Sequence, residues 1–299
     1  MKLLPRLAAL ATCLGVSLFA WAKPVVVTSV HPLSLISAAI VGENVELRPL
    51  LPPSEEPHHY SLRIGDKLAL QKADLVVWIG PGMEGFLARV INDLDPAKVL
   101  TASTLPDIQL QTSREITGTI EDFHLWLNPE YAIVIATELA NWLAAHQPRQ
   151  APELLARLQR FRTHTREVSK TIADNLKVVQ GRKILVDHDA FGYFFSYFGI
   201  QQVGALKSTT GLAKGARALA STLNESDFDC IVAEPRSHHS RVAQVAAQSA
   251  VPTVVIDPLG AHLNPSERSY TDLLLGITQA LLECQPETSA IDEQAITEK

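Results

Sequence analysis

The sequence predicts an α/β protein made of two parallel-sheet lobes joined by one long rigid helix. Three observations carry that prediction. Strand-like and helical runs alternate from residue 24 to 102 and again after residue 180, which is the β-α-β pattern of a parallel sheet covered by helices. Between the two series lies a single long stretch whose apolar residues recur at helical spacing. The length of 299 residues, 46% of them hydrophobic and 19% charged, suits two domains that bury cores of their own.

In chain order, residues 1–22 read as an export signal rather than as part of the fold. Lys2 and Arg6 open it, an apolar run extends from Leu7 to Phe19, and Ala20-Trp21-Ala22 supplies an A-x-A cleavage site ahead of Lys23. The apolar run is short for a membrane anchor. Thr12 is a poor neighbour for a lipid-modified Cys13, so a lipoprotein reading is the weaker one. Cleavage after Ala22 places the mature chain in the periplasm and makes the net charge of −6 two units more negative.

Residues 23–148 form the first lobe in this reading, with strands over 24–30, 45–50, 74–79 and 98–102 and helices over 32–41, 61–72 and 84–93. Residues 149–180 form the linking helix. Pro152 suits its first turn, Leu154, Leu158, Phe161, Val168, Ile172, Leu176 and Val179 mark its apolar stripe, and Gly181 stops it. About 28 helical residues make a rod of roughly 40 Å. The second lobe, 181–284, repeats the alternation, with strands over 183–186, 201–206, 228–233 and 253–256 and helices over 193–197, 213–224, 241–249 and 267–283. Residues 285–299 form a polar tail.

Charge and motifs exclude several functions. With 26 Lys and Arg against 32 Asp and Glu and no clustered basic stretch, the chain has no surface for nucleic acid. Gly80-Pro81-Gly82-Met83-Glu84-Gly85 spells a dinucleotide fingerprint, but Pro81 removes one backbone donor and the next strand ends in Leu100-Thr101-Ala102-Ser103 without an acid. A tight turn before a helix is the better reading. H-E-x-x-H, C-x-x-C, P-loop and G-x-S-x-G motifs are all missing from the sequence. Once Cys13 leaves with the signal, Cys230 and Cys284 remain, and an even pair in an exported chain reads most simply as a disulfide, with two buried thiols as the alternative.

Four side chains stand where a strand or loop hands over to a helix. They are His58, His124 just ahead of the Asn128-Pro129 helix start, His188 after Ile184-Leu185-Val186-Asp187, and Asp257 after Thr253-Val254-Val255-Ile256. Ligands of open α/β sheets bind beyond the carboxyl ends of the strands, so two loops from each lobe could meet in the cleft between them. Three imidazoles and a carboxylate suit tetrahedral Zn²⁺. Sequence separation alone does not establish that the four converge. His31, after the first strand, is an outside candidate on the same rim, and the other six histidines read as surface or supporting residues.

With these residues in view, the chain resembles the solute-binding proteins of ABC importers for zinc and manganese, the cluster that includes the ZnuA type. The resemblance covers nearly the whole mature chain. It rests on His58-His59-Tyr60-Ser61-Leu62, Ala73-Asp74-Leu75-Val76-Val77-Trp78-Ile79-Gly80 with Glu84 and Phe86, and His124-Leu125-Trp126-Leu127-Asn128-Pro129. It rests also on His188-Asp189-Ala190-Phe191-Gly192-Tyr193-Phe194, Ala233-Glu234-Pro235 and Asp257-Pro258-Leu259-Gly260.

The resemblance implies two lobes bridged by one helix, a metal between them, and only modest lobe motion. It implies His58, His124, His188 and Asp257 as metal ligands and a Cys230–Cys284 bridge like one found in ZnuA-type proteins. The transported ligand is Zn²⁺, since manganese binders of this kind usually carry Glu where this chain has His188. The implied partners are a membrane permease with its ATPase, served by a monomer that is not an enzyme. Uptake is expected to weaken as pH falls through the ordinary histidine range near about 6.5. A manganese or iron binder of the same fold is the alternative, and a zinc hydrolase a remote one, because no general base stands beside an open metal position.

The chain departs from the family in two places. Residues 105–121 are short and free of histidine where zinc binders often carry a long His- and Asp-rich loop. Pro57 stands where some relatives place an acid directly before the first ligand, with Glu55 and Glu56 just upstream, which leaves the fourth ligand open between Asp257 and water.

Overall fold

The computed structural model describes residues 23–112, 120–225, 227–235, 241–249 and 251–284. The expected signal segment, the polar tail, His238 and His239 lie outside the described residues.

Four short parallel strands make the first sheet: β1 (Val25–Thr28), β2 (Glu46–Pro49), β3 (Leu75–Trp78) and β4 (Val99–Thr101), in the order β2-β1-β3-β4. All four residues of β3 are buried, as expected of a parallel strand covered on both faces. Helices α1 (His31–Val41), α2 (Ile64–Lys72) and α3 (Ala88–Asn92) connect these strands. The third is shorter than the run 84–93 predicts. The backbone amides of Met83 and Glu84 both turn back to the Gly80 carbonyl, so the start of that run is spent on a turn.

A small antiparallel hairpin, β5 (Gln111–Thr112) with β6 (Glu121–Asp122), precedes α4 (Pro129–His146). The sequence announces the start of α4 but not its length of 18 residues. Asn128 Oδ1 accepts from the amides of Glu130 and Tyr131, and Pro129 occupies the first turn, a strong N-terminal stop. The long helix α5 (Ala151–Asn175) runs 25 residues, about 37 Å at 1.5 Å per residue. A 3₁₀ turn over Leu176–Val179 finishes the segment predicted as one continuous helix.

The second sheet takes β7 (Lys183–His188), β8 (Gln201–Lys207), β9 (Cys230–Ala233) and β10 (Thr253–Val255) in the parallel order β10-β9-β7-β8. Helices α6 (Gly192–Phe198), α7 (Ala216–Glu225), α8 (Arg241–Ser249) and α9 (Ser269–Leu282) complete that lobe. Cys230, at the start of β9, is bonded to Cys284 just beyond α9, with both residues fully buried and their Cα atoms 5.5 Å apart. The bridge ties the C-terminal helix to the middle of the second sheet.

The lobes share their interior. One continuous buried cluster includes Val26 and Leu75 of the first sheet, Ile184 and Val232 of the second, and Leu154, Leu158, Phe161 and Ile172 of α5. Two buried hydrogen bonds cross the seam: the Trp126 indole donates to the Pro258 carbonyl at 2.8 Å, and the Tyr270 hydroxyl donates to the Trp126 carbonyl at 2.8 Å. The carboxyl ends of both sheets therefore meet at a fixed place.

Candidate metal centre

His58 lies on the loop from β2 to α2, His124 between β6 and α4, and His188 on the last residue of β7. The fold brings all three together, with one donor atom from each within 4.8 Å of the others. Their ring centroids are 5.0 Å (His124 to His188), 5.5 Å (His58 to His124) and 5.7 Å (His58 to His188) apart, and the rings meet edge to face. His124 and His188 are buried, and His58 is half-buried over them.

The electrostatics of the trio follow from its burial and its neighbours. Burial, followed by repulsion from His124 and His188, pushes the His58 pKa down to about 2. Burial likewise pushes His124 down to about 3, with His188 adding to the effect. Both rings are therefore neutral near neutral pH and carry a lone pair. His58 Nε2 is buried without a hydrogen-bond partner. His188 differs. Burial pulls its pKa down, but the hydrogen bond to Glu234 and that residue's charge outweigh it, and the pKa ends above the ordinary value. Its Nδ1 lies 3.0 Å from Glu234 Oε1 and its Nε2 3.1 Å from the Thr209 carbonyl.

Carboxylates surround the trio. Asp122 Oδ1 lies 2.7 Å from His124 Nδ1 and also accepts the His124 amide at 2.9 Å. Glu56 Oε1 accepts the His58 amide at 3.0 Å, while its Oε2 is buried with no hydrogen-bond partner. A cavity of about 120 Å³ opens among Glu56, His124, His188 and Glu234. A neighbouring one of about 100 Å³ lies among Glu56, Glu234 and Asp257.

The fourth expected ligand, Asp257, stands outside the cluster of converging donors. Its two oxygens turn into its own loop, accepting the amides of Leu259 at 2.9 Å and Ala261 at 2.7 Å. Each oxygen thus accepts one amide and keeps a further lone pair, and Asp257 lines the neighbouring cavity with Glu56 and Glu234. His31 is buried outside the trio, with Nε2 3.0 Å from the Leu263 carbonyl. Of the remaining histidines, His59 and His262 are exposed, His146 stacks on Trp142, and His164 meets the Thr271 hydroxyl.

Sequence reasoning missed the parts played by Asp122, Glu56 and Glu234. An Asp two residues ahead of a candidate ligand is a recognisable turn-forming pattern, and it was the available signal for Asp122. The glycine-rich text at 80–85 also has its explanation. A Cβ on Gly82 would stand 2.0 Å from Phe123 Cε2, so this glycine admits the ring beside His124, and the segment packs the site instead of binding a nucleotide.

Two α/β lobes over a long helix, with an imidazole trio where the sheets' carboxyl ends meet, define a metal-binding protein of the bilobal solute-binding class. The family described as zinc-uptake complex component A, periplasmic (ZnuA) matches residues 26–284, and the chain belongs to it. It is 31% identical over 294 residues to the high-affinity zinc uptake system protein ZnuA of Yersinia pestis, covering 89% of this chain and 92% of that one. The ZnuA of Haemophilus ducreyi is 29% identical over 87% of this chain and 92% of its own length. Among solved structures, a ZnuA deletion mutant with zinc bound superposes with a TM-score of 0.76 at 21% identity, covering 88% of this chain and all of that one. The periplasmic zinc-binding protein TroA of Treponema pallidum gives 0.74 at 21% identity, over 88% and 99% of the two chains. These likenesses confirm the predicted fold class.

Proposed function

We propose that this zinc-uptake component captures Zn²⁺ in the periplasm between its lobes through His58, His124 and His188, and delivers it to the permease of an ABC importer. The observation that carries the assignment is the convergence of three imidazoles, two of them held neutral by burial, around one point. Three nitrogen donors suit zinc better than the harder Mn²⁺, which favours oxygen. His124 offers Nε2, since its Nδ1 faces Asp122, and His58 offers its unpartnered Nε2. At His188 the metal takes the place of the Thr209 carbonyl on Nε2 while Glu234 keeps Nδ1.

For the fourth position a carboxylate is supported over water. Asp257 is already engaged by two amides, whereas the buried, unpartnered Oε2 of Glu56 has an unmet need for a cation. A trio closed by a carboxylate leaves no open place for a reacting water, so the chain acts as a carrier and not as a hydrolase. It is exported by cleavage after Ala22 and works as a monomer.

The test is chelator competition on the apo-protein. His124→Ala and His188→Ala each lower zinc affinity by more than about 100-fold, beyond the 10–100-fold typical of losing a supporting partner. Parent-like affinity in either variant, or tighter binding of Mn²⁺ than Zn²⁺ by the unaltered protein, overturns the assignment.

A further inference from the structure

His124 is oriented by Asp122 of its own lobe, which residues of the other lobe hold in place. Asp122 is buried at 3% exposure, and its Oδ1 meets both the backbone amide and the Nδ1 of His124. Tyr193, fully buried at the start of α6, donates its hydroxyl to the Asp122 carbonyl at 2.8 Å and accepts the Gln111 amide at 3.0 Å. That single hydroxyl grips both strands of the β5–β6 hairpin, because Gln111 and Asp122 are paired across it. The neighbouring residue, Gly192, leaves the carboxylate its room: a Cβ there would stand 2.8 Å from Asp122 Oδ2. Gly192 has no positive φ, so its smallness serves space and not backbone conformation.

We propose that Asp122, seated against Gly192 and anchored through Tyr193, is a positioning residue that fixes His124 in the Nδ1–H tautomer and presents Nε2 to the metal. This rests on His124 being a zinc ligand, as proposed above. The physical reason is general. A neutral imidazole carries one proton, and a carboxylate held against one nitrogen keeps it there, orients the ring and raises the basicity of the other nitrogen. The amide of His124 is bound to the same oxygen, so backbone and ring are fixed together and rotation about χ1 is restrained. The segment from His188 to Tyr193 thus supplies one ligand of the trio and holds the support of another. Zinc binding at His124 is in this way coupled to the second lobe through a contact that is not itself a ligand.

Ring-nitrogen NMR of the folded apo-protein reads the tautomer directly. The unaltered protein shows His124 protonated on Nδ1 and bare on Nε2, and the reverse tautomer overturns the proposal without any variant. In Asp122→Ala that preference is lost and zinc affinity, measured by chelator competition, falls about 10–100-fold. Asp122→Asn, whose amide oxygen still accepts the proton, restores the tautomer and part of the affinity, a rescue that a merely structural role would not give. Gly192→Ala displaces the carboxylate and lowers affinity in the same direction. If Asp122→Ala keeps both tautomer and affinity while His124→Ala loses zinc, this inference alone fails. If His124→Ala binds zinc like the parent, the ligand assignment fails first.

Discussion

The two lobes build the proposed metal centre by different means. The first lobe contributes His58 and His124 from loops, both neutral because burial forbids their charge, and it contains no cysteine. The second contributes His188 from the end of a strand, where Glu234 favours the charged ring, and it is stapled by Cys230–Cys284. One half offers lone pairs in advance, and at the other a proton competes for the ring more strongly than it does for an ordinary histidine. Metal entry on this plan is asymmetric: the incoming cation meets two rings held neutral and competes with a proton chiefly at the third.

The largest test of this contrast concerns the staple. Replacing both cysteines by alanine removes a cross-link between residues 54 apart and lowers stability by about 4 kcal/mol on the chain-entropy scale. Denaturant unfolding is expected to show the loss. An unchanged midpoint would mean that the second lobe owes its rigidity to packing alone, like the first.

Which lobe closes the coordination sphere comes next. Glu56 belongs to the first lobe and Asp257 to the second. Glu56→Gln is expected to weaken zinc binding by about tenfold or more, while Asp257→Asn acts mainly by loosening the 257–261 loop. In a cobalt-substituted protein, the ligand-field spectrum should shift for Glu56→Gln and hold for Asp257→Asn. The opposite pattern hands the fourth position to the second lobe.

The smallest effect is the pH profile. A proton on His188 must leave before metal binds, and its pKa is raised, so zinc affinity falls as pH drops, with an onset above the ordinary histidine range. His58 and His124 stay neutral down to about 2 and about 3 and do not set the onset. Glu234→Gln removes the partner that favours the charge, and the onset moves to lower pH. An unmoved profile in competition assays would break the asymmetry.

Much of this was legible in the sequence. The run 241–249 is a helix over those very residues, and 32–41 and 74–79 lie within one or two residues of α1 and β3, because periodicity and apolar runs report burial directly. The body of α4 was not legible beyond its Asn128-Pro129 start. Its apolar content runs nearly all round the helix, since neighbours cover most of its faces, and the one-sided stripe that marks a surface helix is blurred. The three histidines could be found because they sit where elements change over.

The roles of the carboxylates depend on pairings no local pattern contains. Parallel registry sets Ile184 beside Cys230 and Val186 beside Val232, and continuing it two residues brings His188 beside Glu234. Asp257, at the end of a strand, reads as a ligand in the sequence, and Glu56, within a loop, does not. Only the course of the chain decides that one spends its oxygens on its own loop and the other keeps one bare.

The shared interior has a kinetic consequence. Because α5 and the seam bonds of Trp126 and Tyr270 make the two lobes one buried body, release cannot depend on the halves swinging apart. On the proposed ligand set the ion leaves through a change in a loop, and His58, half-buried where His124 and His188 are buried, is the most exposed of the three walls. On that reading the proposal implies slow dissociation in free solution, with the lifetime of the loaded carrier ended by a surface that lifts that loop.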